Sequence, residues 1–413
     1  MSLAQTDPQI YRIIKEEEKR QRNNINLIAS ENYTSKAVLE AQASVLTNKY
    51  AEGYPGKRYY GGCQNVDQAE AIALDRAKTL FRAEYANVQP YSGSVANMAA
   101  YMTLIEHGDT ILSMRLDQGG HLTHGSPVSF SGQFYDAVFY GIDRETGLIN
   151  YDEVEETAVQ NQPRLIVVGS SSYPRILDYA RFRKIADRVG ARLFVDMAHE
   201  AGMIAAKVHP SPVPFADITT FTTHKSLRGP RGGLILAKAQ YGPTIDKIVF
   251  PGLQGGPLMH VVAAKAVALL EAQKPEFVTY QKAVLENARV FAEELMAQGL
   301  TLVTGGTDNH RVLVDLTKTT ITGKDAEDAL GRVNITVNKN SIPFDPKPPK
   351  YTSGIRMGTP AVTSRGFGPD EMRKTARLIA RVLSNIGNEK VYGEVNDEVS
   401  QMNGRFPTPG IDR

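Results

Sequence analysis

Short apolar runs alternate with amphipathic segments through the middle of the chain, from about residue 67 to residue 238. Polar segments with helical periodicity, such as 180–190, separate some of these runs. Continuous apolar runs of this length are typical of strands that are buried on both faces. The pattern therefore predicts an α/β fold with a mostly parallel sheet flanked by helices. The predicted strands are 85–89, 110–116, 137–142, 164–169, 192–197, 217–223 and 233–238.

The two ends of the chain have other patterns. Asp7 and Pro8 form a helix start, and an amphipathic helix is predicted through about Gln21. Residues 24–62 have little periodicity and many Tyr, Gly and Asn residues, which indicates a functional or partner-facing segment. Domain boundaries are expected after residues 70 and 273, which gives segments 1–70, 71–273 and 274–413.

The last of these segments is predicted to be a smaller α+β domain. Pro275 begins a long helix with apolar residues on one stripe, at positions 284, 288, 291 and 295. A strand at 310–316, a helix at 324–333 and a closing helix from Pro369 to about Ile386 follow.

Composition removes several classes of function. The chain has 413 residues, 42% of them hydrophobic, and a formal net charge of +2, which argues against a nucleic-acid surface. No signal peptide and no membrane-spanning segment are recognisable, so a cytoplasmic protein is expected. The one cysteine, Cys63, excludes a disulfide framework and is expected to be a small packed residue.

Ser92, Gly93 and Ser94 lie between a predicted strand and a predicted helix. Free backbone N–H groups, two hydroxyls and the positive end of the helix dipole suit a phosphate group there. A plain serine N-cap explains the same residues equally well.

Two further polar residues follow predicted strands. Asp196 ends one strand, where it either faces a ligand or caps the next helix. Lys225 is predicted to end another, although most lysines are simply solvated. An anion cradle, an Asp and a Lys in this order match the requirements of pyridoxal phosphate: a phosphate anchor, a partner for the pyridinium nitrogen and an amine for the aldehyde.

Longer stretches carry a closer resemblance. They are NLIASENYTS, LTNKYAEGYPGKRYYGG, YANVQPYSGS, GGHLTHGSP, VDMAHEAG, TTHKSLRGPRGG, FPGLQGGPLMHVVAAKAVA and SGIRMGTPAVTSRGF. With these stretches the chain resembles, along nearly its whole length, the serine hydroxymethyltransferases, a family of fold-type-I pyridoxal-phosphate enzymes. The resemblance implies a large cofactor-binding domain, a smaller C-terminal domain, and a cytoplasmic homodimer or dimer of dimers in which segment 1–70 is an arm that completes the partner's active site.

The resemblance also implies roles for single residues. Lys225 would be the Schiff-base lysine, Asp196 would pair with the ring nitrogen, and His121 would stack on the ring. The other cofactor contacts would be Ser92, Gly93, Ser94, Ser171, His199, Tyr50 and, from the neighbouring subunit, Gly256. Substrate contacts would be Ser30, Tyr60, Glu52 and Arg356. Catalysis would involve Lys225, Glu52, Tyr60, His121, Thr222 and Thr223. Folate contacts would be Leu116, Gly120, Leu122, Asn340 and Lys350.

The implied reaction is reversible transfer of the hydroxymethyl group of L-serine to tetrahydrofolate, giving glycine and methylenetetrahydrofolate through aldimine and quinonoid intermediates. Two other functions of the same fold stay open: a folate-independent β-hydroxy-amino-acid aldolase or transaldolase, and an α-methylserine hydroxymethyltransferase. A non-catalytic scaffold or RNA-binding protein is a third. No metal is expected, because His121 and His124 lack a third ligand in the sequence pattern.

Six residues depart from the family pattern. They lie outside the implied cofactor set, and several fall where the pterin or the substrate side chain would be. The choice of one-carbon acceptor is therefore less securely implied than the cofactor. The six are Tyr91, Val95, Gln118, Glu200, Phe221 and Lys350.

Overall fold

The computed structural model describes residues 1–412. Its helices are α1 (Leu3–Thr6), α2 (Pro8–Asn23), α3 (Lys36–Gln42), α4 (Gln64–Phe81), α5 (Gly93–Leu104), α6 (Phe130–Phe134), α7 (Tyr151–Asn161), α8 (Tyr179–Val189), α9 (Ala201–Ala205), α10 (Gly242–Lys247), α11 (Met259–Glu271), α12 (Pro275–Ala297), α13 (Gly323–Arg332), α14 (Pro360–Arg365), α15 (Pro369–Leu383) and α16 (Glu389–Gly404). Its strands are β1 (Ile25–Asn26), β2 (Gly53–Tyr54), β3 (Lys57–Arg58), β4 (Tyr85–Asn87), β5 (Thr110–Met114), β6 (Asp136–Tyr140), β7 (Leu165–Gly169), β8 (Arg192–Asp196), β9 (Ile218–Thr222), β10 (Gly233–Ala237), β11 (Thr301–Leu302), β12 (Arg311–Asp315), β13 (Ile335–Thr336), β14 (Asn338–Asn340) and β15 (Gly354–Gly358).

The chain divides into two compact units. The large unit comprises residues 37–282 and 342–344, and the small unit comprises residues 1–36, 283–341 and the chain from 345 on. The sequence analysis places its boundaries after residues 70 and 273 instead. Residues 1–36 thus belong with the C-terminal part of the chain, and the interpretation of segment 1–70 as an arm stays a prediction.

A seven-stranded sheet forms the centre of the large unit. Its order is β4-β10-β9-β8-β7-β5-β6, and only β10 runs antiparallel to its neighbours. Alternate residues of β7 pack in different cores: Leu165 and Val167 lie with α5, whereas Ile166 and Val168 lie with α7 and α8. Both faces are therefore covered by helices, and the predicted mostly parallel α/β sheet is confirmed.

The small unit contains an antiparallel sheet of order β11-β12-β15-β14 and a short parallel pair, β1 with β13. The predicted stripe of α12 is fully buried: Val284, Ala288, Phe291 and Leu295 have no exposed surface. Asp7 caps α2 by accepting hydrogen bonds from the N–H groups of the second and third helical residues. Both helix predictions are confirmed.

Several helices are not predicted by the hydrophobic periodicity, among them α3, α7 and α16. The closing helix ends at Leu383 rather than near residue 386, and α16 follows it. The apolar signal of α16 is sparse, because its four buried apolar residues, at positions 392, 395, 399 and 402, stand among charged and amide side chains. Within residues 1–412, no helix is long and apolar enough to cross a membrane.

Candidate active site at the edge of the large sheet

The carboxyl ends of β8 and β9 and the start of α5 meet at one edge of the large sheet. Asp196 is the last residue of β8, as predicted. β9 ends at Thr222, so the prediction that Lys225 ends a strand is wrong: Lys225 lies three residues later, in a turn. The turn frees this lysine from strand pairing while keeping it beside the sheet edge.

Ser92 is the N-cap of α5, and its side chain accepts the N–H of Val95 at 3.2 Å. The N-cap interpretation is therefore correct, and it still leaves the hydroxyl proton for another acceptor. Neighbouring strands approach the start of α5 very closely. A Cβ on Gly93 would lie 2.6 Å from Cγ2 of Thr222, and one on Gly233 would overlap the carbonyl oxygen of Ser92. Glycine is needed at both places for the loop to close.

The carboxylate of Asp196 is buried and held by three donors. Its Oδ2 accepts from Nδ2 of Asn97 at 2.9 Å and lies 3.1 Å from Nε2 of His124, and its Oδ1 accepts the N–H of Ala198 at 3.0 Å. Burial alone would raise the pKa of Asp196. The hydrogen bond from His124 and the charges of His124, His121 and Lys225 outweigh it and hold that pKa well below its usual range. The site thus presents a fixed negative charge.

A chain of side-chain hydrogen bonds connects this carboxylate to His121. Thr220 donates to the amide oxygen of Asn97, whose amide nitrogen donates to Oγ1 of Thr123 at 2.8 Å. Oγ1 of Thr123 lies 2.7 Å from Nδ1 of His121, which also accepts the backbone N–H of Thr123. Because Nδ1 accepts, the neutral ring carries its proton on Nε2.

Backbone contacts close the turn that carries Lys225. Thr223 is fully buried, and its hydroxyl donates to the carbonyl oxygen of Pro230 at 2.6 Å, while its own carbonyl accepts the N–H of Gly229 at 2.7 Å. These two hydrogen bonds show that Thr223 stabilises the turn. Its catalytic role stays a prediction. The hydroxyl of Thr222 is buried and has no hydrogen-bond partner within the described residues.

Positive groups cluster around this turn. Burial, followed by the charges of Arg231 and Lys225, lowers the pKa of His224 to about 3, so this imidazole is neutral. Lys265 of α11 is 1% exposed, and its ammonium donates to three carbonyl oxygens: Val88 at 2.6 Å, Pro90 at 3.0 Å and Gly233 at 2.8 Å. Lys265 therefore ties the segment that leads into Ser92 to the strand that follows the turn.

A second cluster, the tyrosine patch, lies in the same unit. It consists of Tyr50, Glu52, Tyr60, Tyr91 and the segment Gln254–Gly256. The rings of Tyr50 and Tyr60 meet edge to face at 5.3 Å, and each side chain is at least half exposed. The hydroxyl of Tyr91 donates to the carbonyl of Gly256 at 2.6 Å, and the charge of Glu52 raises the pKa of Tyr50. The structure thus brings together four residues that the sequence analysis associates with the partner's site.

Arg58 fixes the segment that carries Glu52. Its guanidinium, 3% exposed, binds the carboxylates of Asp67 at 2.8 Å and Glu70 at 2.6 Å. The same group donates to the carbonyl oxygens of Ala51 and Gly53, the two neighbours of Glu52. The irregular segment is therefore rigidly anchored.

Further predicted residues also belong to the large unit: Leu116, Gly120, Leu122, Ser171 and His199. The N–H of Ser171 donates to the carbonyl of Gly119 at 2.8 Å, and the buried His199 has its carbonyl bound by the hydroxyl of Ser226. Leu116 and His121 line a cavity of about 180 Å³, and Leu122 is nearly half exposed. Gly120 has no room for a Cβ, which would overlap the carbonyl oxygen of residue 114.

The small unit carries the other predicted residues. Nε of Arg356 on β15 donates to Oδ1 of Asn338 at 3.2 Å, and burial, with Arg311 adding to it, lowers the pKa of Arg356 to about 10. The guanidinium stays charged at neutral pH. Ser30 follows Ala29, which packs against Gly358, two residues beyond Arg356. Asn340 ends β14, and Lys350 is exposed.

Besides Tyr91, two of the six departing residues have structural roles. Gln118 is buried, and its side-chain oxygen accepts the N–H of Ile142 at 2.8 Å. Phe221 is fully buried and packs against Phe81 with ring centroids 4.9 Å apart.

Sequence reasoning missed the groups that position the site: Asn97, Thr123, Thr220 and Lys265. Asn97 and Lys265 had a visible signal, because each stands among apolar neighbours in the middle of its helix. Thr123 and Thr220 had none. His121, His124 and Asp196 do come together, with ligand atoms within 4.8 Å of one another, although hydrogen bonds occupy them. The absence of a metal stays a prediction.

Comparison with known proteins agrees with this arrangement. The family model for serine hydroxymethyltransferase matches residues 3–379. Three curated proteins, each named serine hydroxymethyltransferase, come from strains CBDB1, BAV1 and 195 of Dehalococcoides mccartyi. They are 59%, 58% and 58% identical to this chain over 411 residues, which is 99% of this chain and 99% of each relative. The resemblance expected from the sequence motifs is confirmed, and the chain belongs to the serine hydroxymethyltransferase family.

Proposed function

We propose that this protein reversibly transfers the hydroxymethyl group of L-serine to tetrahydrofolate, with pyridoxal phosphate as cofactor. The observation that carries the proposal is the convergence of Asp196, Lys225 and the Ser92–Gly93 helix start at one edge of the sheet. Family membership supports the same reaction.

The residues at this edge fit the proposed cofactor. The helix start offers backbone N–H groups and the hydroxyl of Ser92 to a phosphate, and no side chain at Gly93 or Gly233 obstructs it. Asp196 offers a carboxylate held anionic for a protonated pyridine nitrogen. When bound, pyridoxal phosphate supplies an electron sink for the pair released as the Cα–Cβ bond of serine breaks.

Each residue then has a definite task. Lys225 would hold the cofactor's aldehyde carbon through Nζ. His121, with its Nε2 proton and a hydrogen-bonded Nδ1, would keep a fixed ring orientation beside the cofactor plane. Arg356 would bind the substrate carboxylate, for which a planar, permanently charged donor is suited. The buried hydroxyl of Thr222, which has no partner within the described residues, would be available as a donor.

Glu52 would take and return the proton of the serine hydroxyl, because it is the carboxylate of the tyrosine patch. The patch and the adjacent Tyr59 support a homodimer: Tyr50, Tyr59 and Tyr60 are 58%, 74% and 50% exposed, which is unusual for three neighbouring large rings. A partner subunit would cover them. Ser94, Ser171, His199 and Gly256 would complete the cofactor contacts.

Exposed apolar residues near His121 would contact the folate. Leu116 and Leu122 present exposed apolar surface beside His121, which suits a flat pterin ring. Gly120, Asn340 and Lys350 would add contacts to it.

A steady-state assay with and without tetrahydrofolate tests the proposal. Glycine formation from L-serine should require tetrahydrofolate and pyridoxal phosphate together. Cleavage of β-hydroxy amino acids at equal rates without tetrahydrofolate would favour the aldolase alternative. Turnover of α-methylserine in preference to serine would favour the α-methylserine hydroxymethyltransferase alternative. Failure to bind pyridoxal phosphate would favour the non-catalytic scaffold or RNA-binding protein.

A further inference from the structure

A second cavity opens at the opposite edge of the large sheet. It has a volume of about 430 Å³ and lies between the end of α4, the segment that follows α9, and strands β9 and β10. Thr219, near the start of β9, lines it, whereas Thr222 ends the same strand at the candidate active site. No residue that lines this cavity has a role in the proposed function.

The walls of this cavity are mainly apolar. They include Leu80, Phe81, Ile204, Val213 and Leu236. A cavity of a few hundred cubic ångströms with apolar walls and a few convergent polar groups is the usual form of a small-molecule site. Apolar walls alone would not select any particular ligand.

Charged side chains at the rim of the cavity would select an anionic ligand. Arg82, Lys207 and Lys238 line it, and Lys238 is paired with Asp217 at 3.2 Å. Within residues 1–412, the side chains of Arg82 and Lys207 make no hydrogen bond or ion pair. The acidic residue of the rim, Glu84, accepts the N–H of Ala239 at 2.8 Å. Two cations are therefore available to an anion.

The backbone at these two cations is unusual. Arg82 has φ 55° and Lys207 has φ 59°, both in the left-handed region, and both follow the end of a helix. Glycine is the common residue at such positions because it has no Cβ to strain. This chain instead has a long cationic side chain at each of these two positions.

We propose that this cavity binds a small aromatic carboxylate, with its ring between the apolar walls and its anionic group held by Arg82 and Lys207. A bare inorganic anion would leave the apolar walls wet, whereas a neutral ring would gain nothing from Arg82 and Lys207, which are exposed at the rim. The volume suits one or two fused rings.

The test uses the full-length protein saturated with pyridoxal phosphate and glycine, so that the candidate active site is filled. The probes are 2-naphthoate and its neutral counterpart 2-naphthamide, followed by ligand-observed saturation-transfer NMR and titration. A site that fits a ligand of this size should bind 2-naphthoate with a Kd of about 1 mM or tighter. The amide should bind about fivefold more weakly, because it lacks the charge.

Three variants test whether the probes bind in this cavity and whether its two cations favour the carboxylate. Val213→Trp should fill the cavity and abolish binding of both probes. Arg82→Gln with Lys207→Gln should remove the preference for the carboxylate and keep binding of the amide. The control Lys184→Gln, an exposed lysine on α8 outside the cavity, should behave as wild type.

A glycine pair checks folding at the same positions. Arg82→Gly with Lys207→Gly should raise the melting temperature, because glycine relieves the left-handed backbone, and should still lose the preference for the carboxylate. Unchanged 2-naphthoate binding in Val213→Trp would overturn the proposal, since the probe would then bind elsewhere. A preference that persists in both double variants, or a wild-type Kd weaker than about 5 mM, would also overturn it.

Discussion

Replacing Lys265 with Met tests the electrostatics beneath the candidate cofactor site. Methionine keeps the length and the apolar stem of the side chain but removes the ammonium. The carbonyl oxygens of Val88, Pro90 and Gly233 then lose a buried donor. The Pro90 carbonyl keeps the N–H of Gly233 at 3.0 Å. At roughly 1 kcal/mol for each of the other two acceptors, the large unit should lose about 2 kcal/mol of stability at pH 7.

The loss should also depend on pH. Burial lowers the pKa of Lys265 from 10.5 to about 7, although the charge of Glu70 opposes the shift. Between these values the unfolded chain binds more protons than the folded chain, so the free energy of unfolding of the wild type rises with pH. At about 1.4 kcal/mol per pH unit, the rise from pH 7 to pH 9 amounts to about 2 kcal/mol. Lys265→Met lacks this contribution.

Thermal unfolding at pH 7, 8 and 9 measures both effects. One kcal/mol corresponds to roughly 2–4 °C for a domain of this size, so the gap between wild type and Lys265→Met should widen by about 4–8 °C. Lys265→Arg is the matched control, because arginine keeps its charge over this range and should remove the pH dependence. A gap that stays constant would refute the lowered pKa. A gap that narrows with pH would show that the charged amine is what stabilises the fold.

Three further predictions concern the tyrosine patch, the shared site and the folate. Arg58→Met should cost roughly 3–5 kcal/mol, because it leaves the buried Glu70 carboxylate unpaired, and urea titration measures the loss. Mixing inactive Lys225→Ala and Glu52→Gln chains should restore part of the activity in heterodimers; none, despite proven exchange, would mean that one chain builds each site. Lys350→Phe should raise the Michaelis constant for polyglutamylated tetrahydrofolate by at most about fivefold, an effect that salt removes; equal constants and equal salt dependence would make Lys350 a solvated residue.

The strand pattern was sufficient for the large unit because its apolar runs are continuous. Buried parallel strands give the strongest signal in a sequence, and each predicted run of the central sheet contains a strand. The direction of β10 had no such signal, since an antiparallel strand within this sheet is buried as fully as its neighbours. The grouping of residues 1–36 with the C-terminal part depends on long-range contacts that no local pattern encodes.

The candidate site likewise contains some residues that the sequence predicts and others that it does not. Asp196 and the Ser92–Gly93 helix start could be predicted because strand ends and helix starts are visible in sequence. The position of Lys225 could not, because nothing local fixes the residue at which β9 stops pairing. The support beneath the site also depends on tertiary contacts: Lys265 donates to a carbonyl 177 residues away.

The most direct test of the central claim is to identify the lysine that holds the cofactor. Pyridoxal phosphate is added, the protein is reduced with borohydride, and the labelled peptide is mapped by mass spectrometry. The proposed function predicts a single label on Lys225, no label in Lys225→Gln, and an unchanged fold in that variant because the phosphate cradle at Ser92 and Gly93 is intact. A label on any other lysine of the wild type, or no label at all, would contradict it.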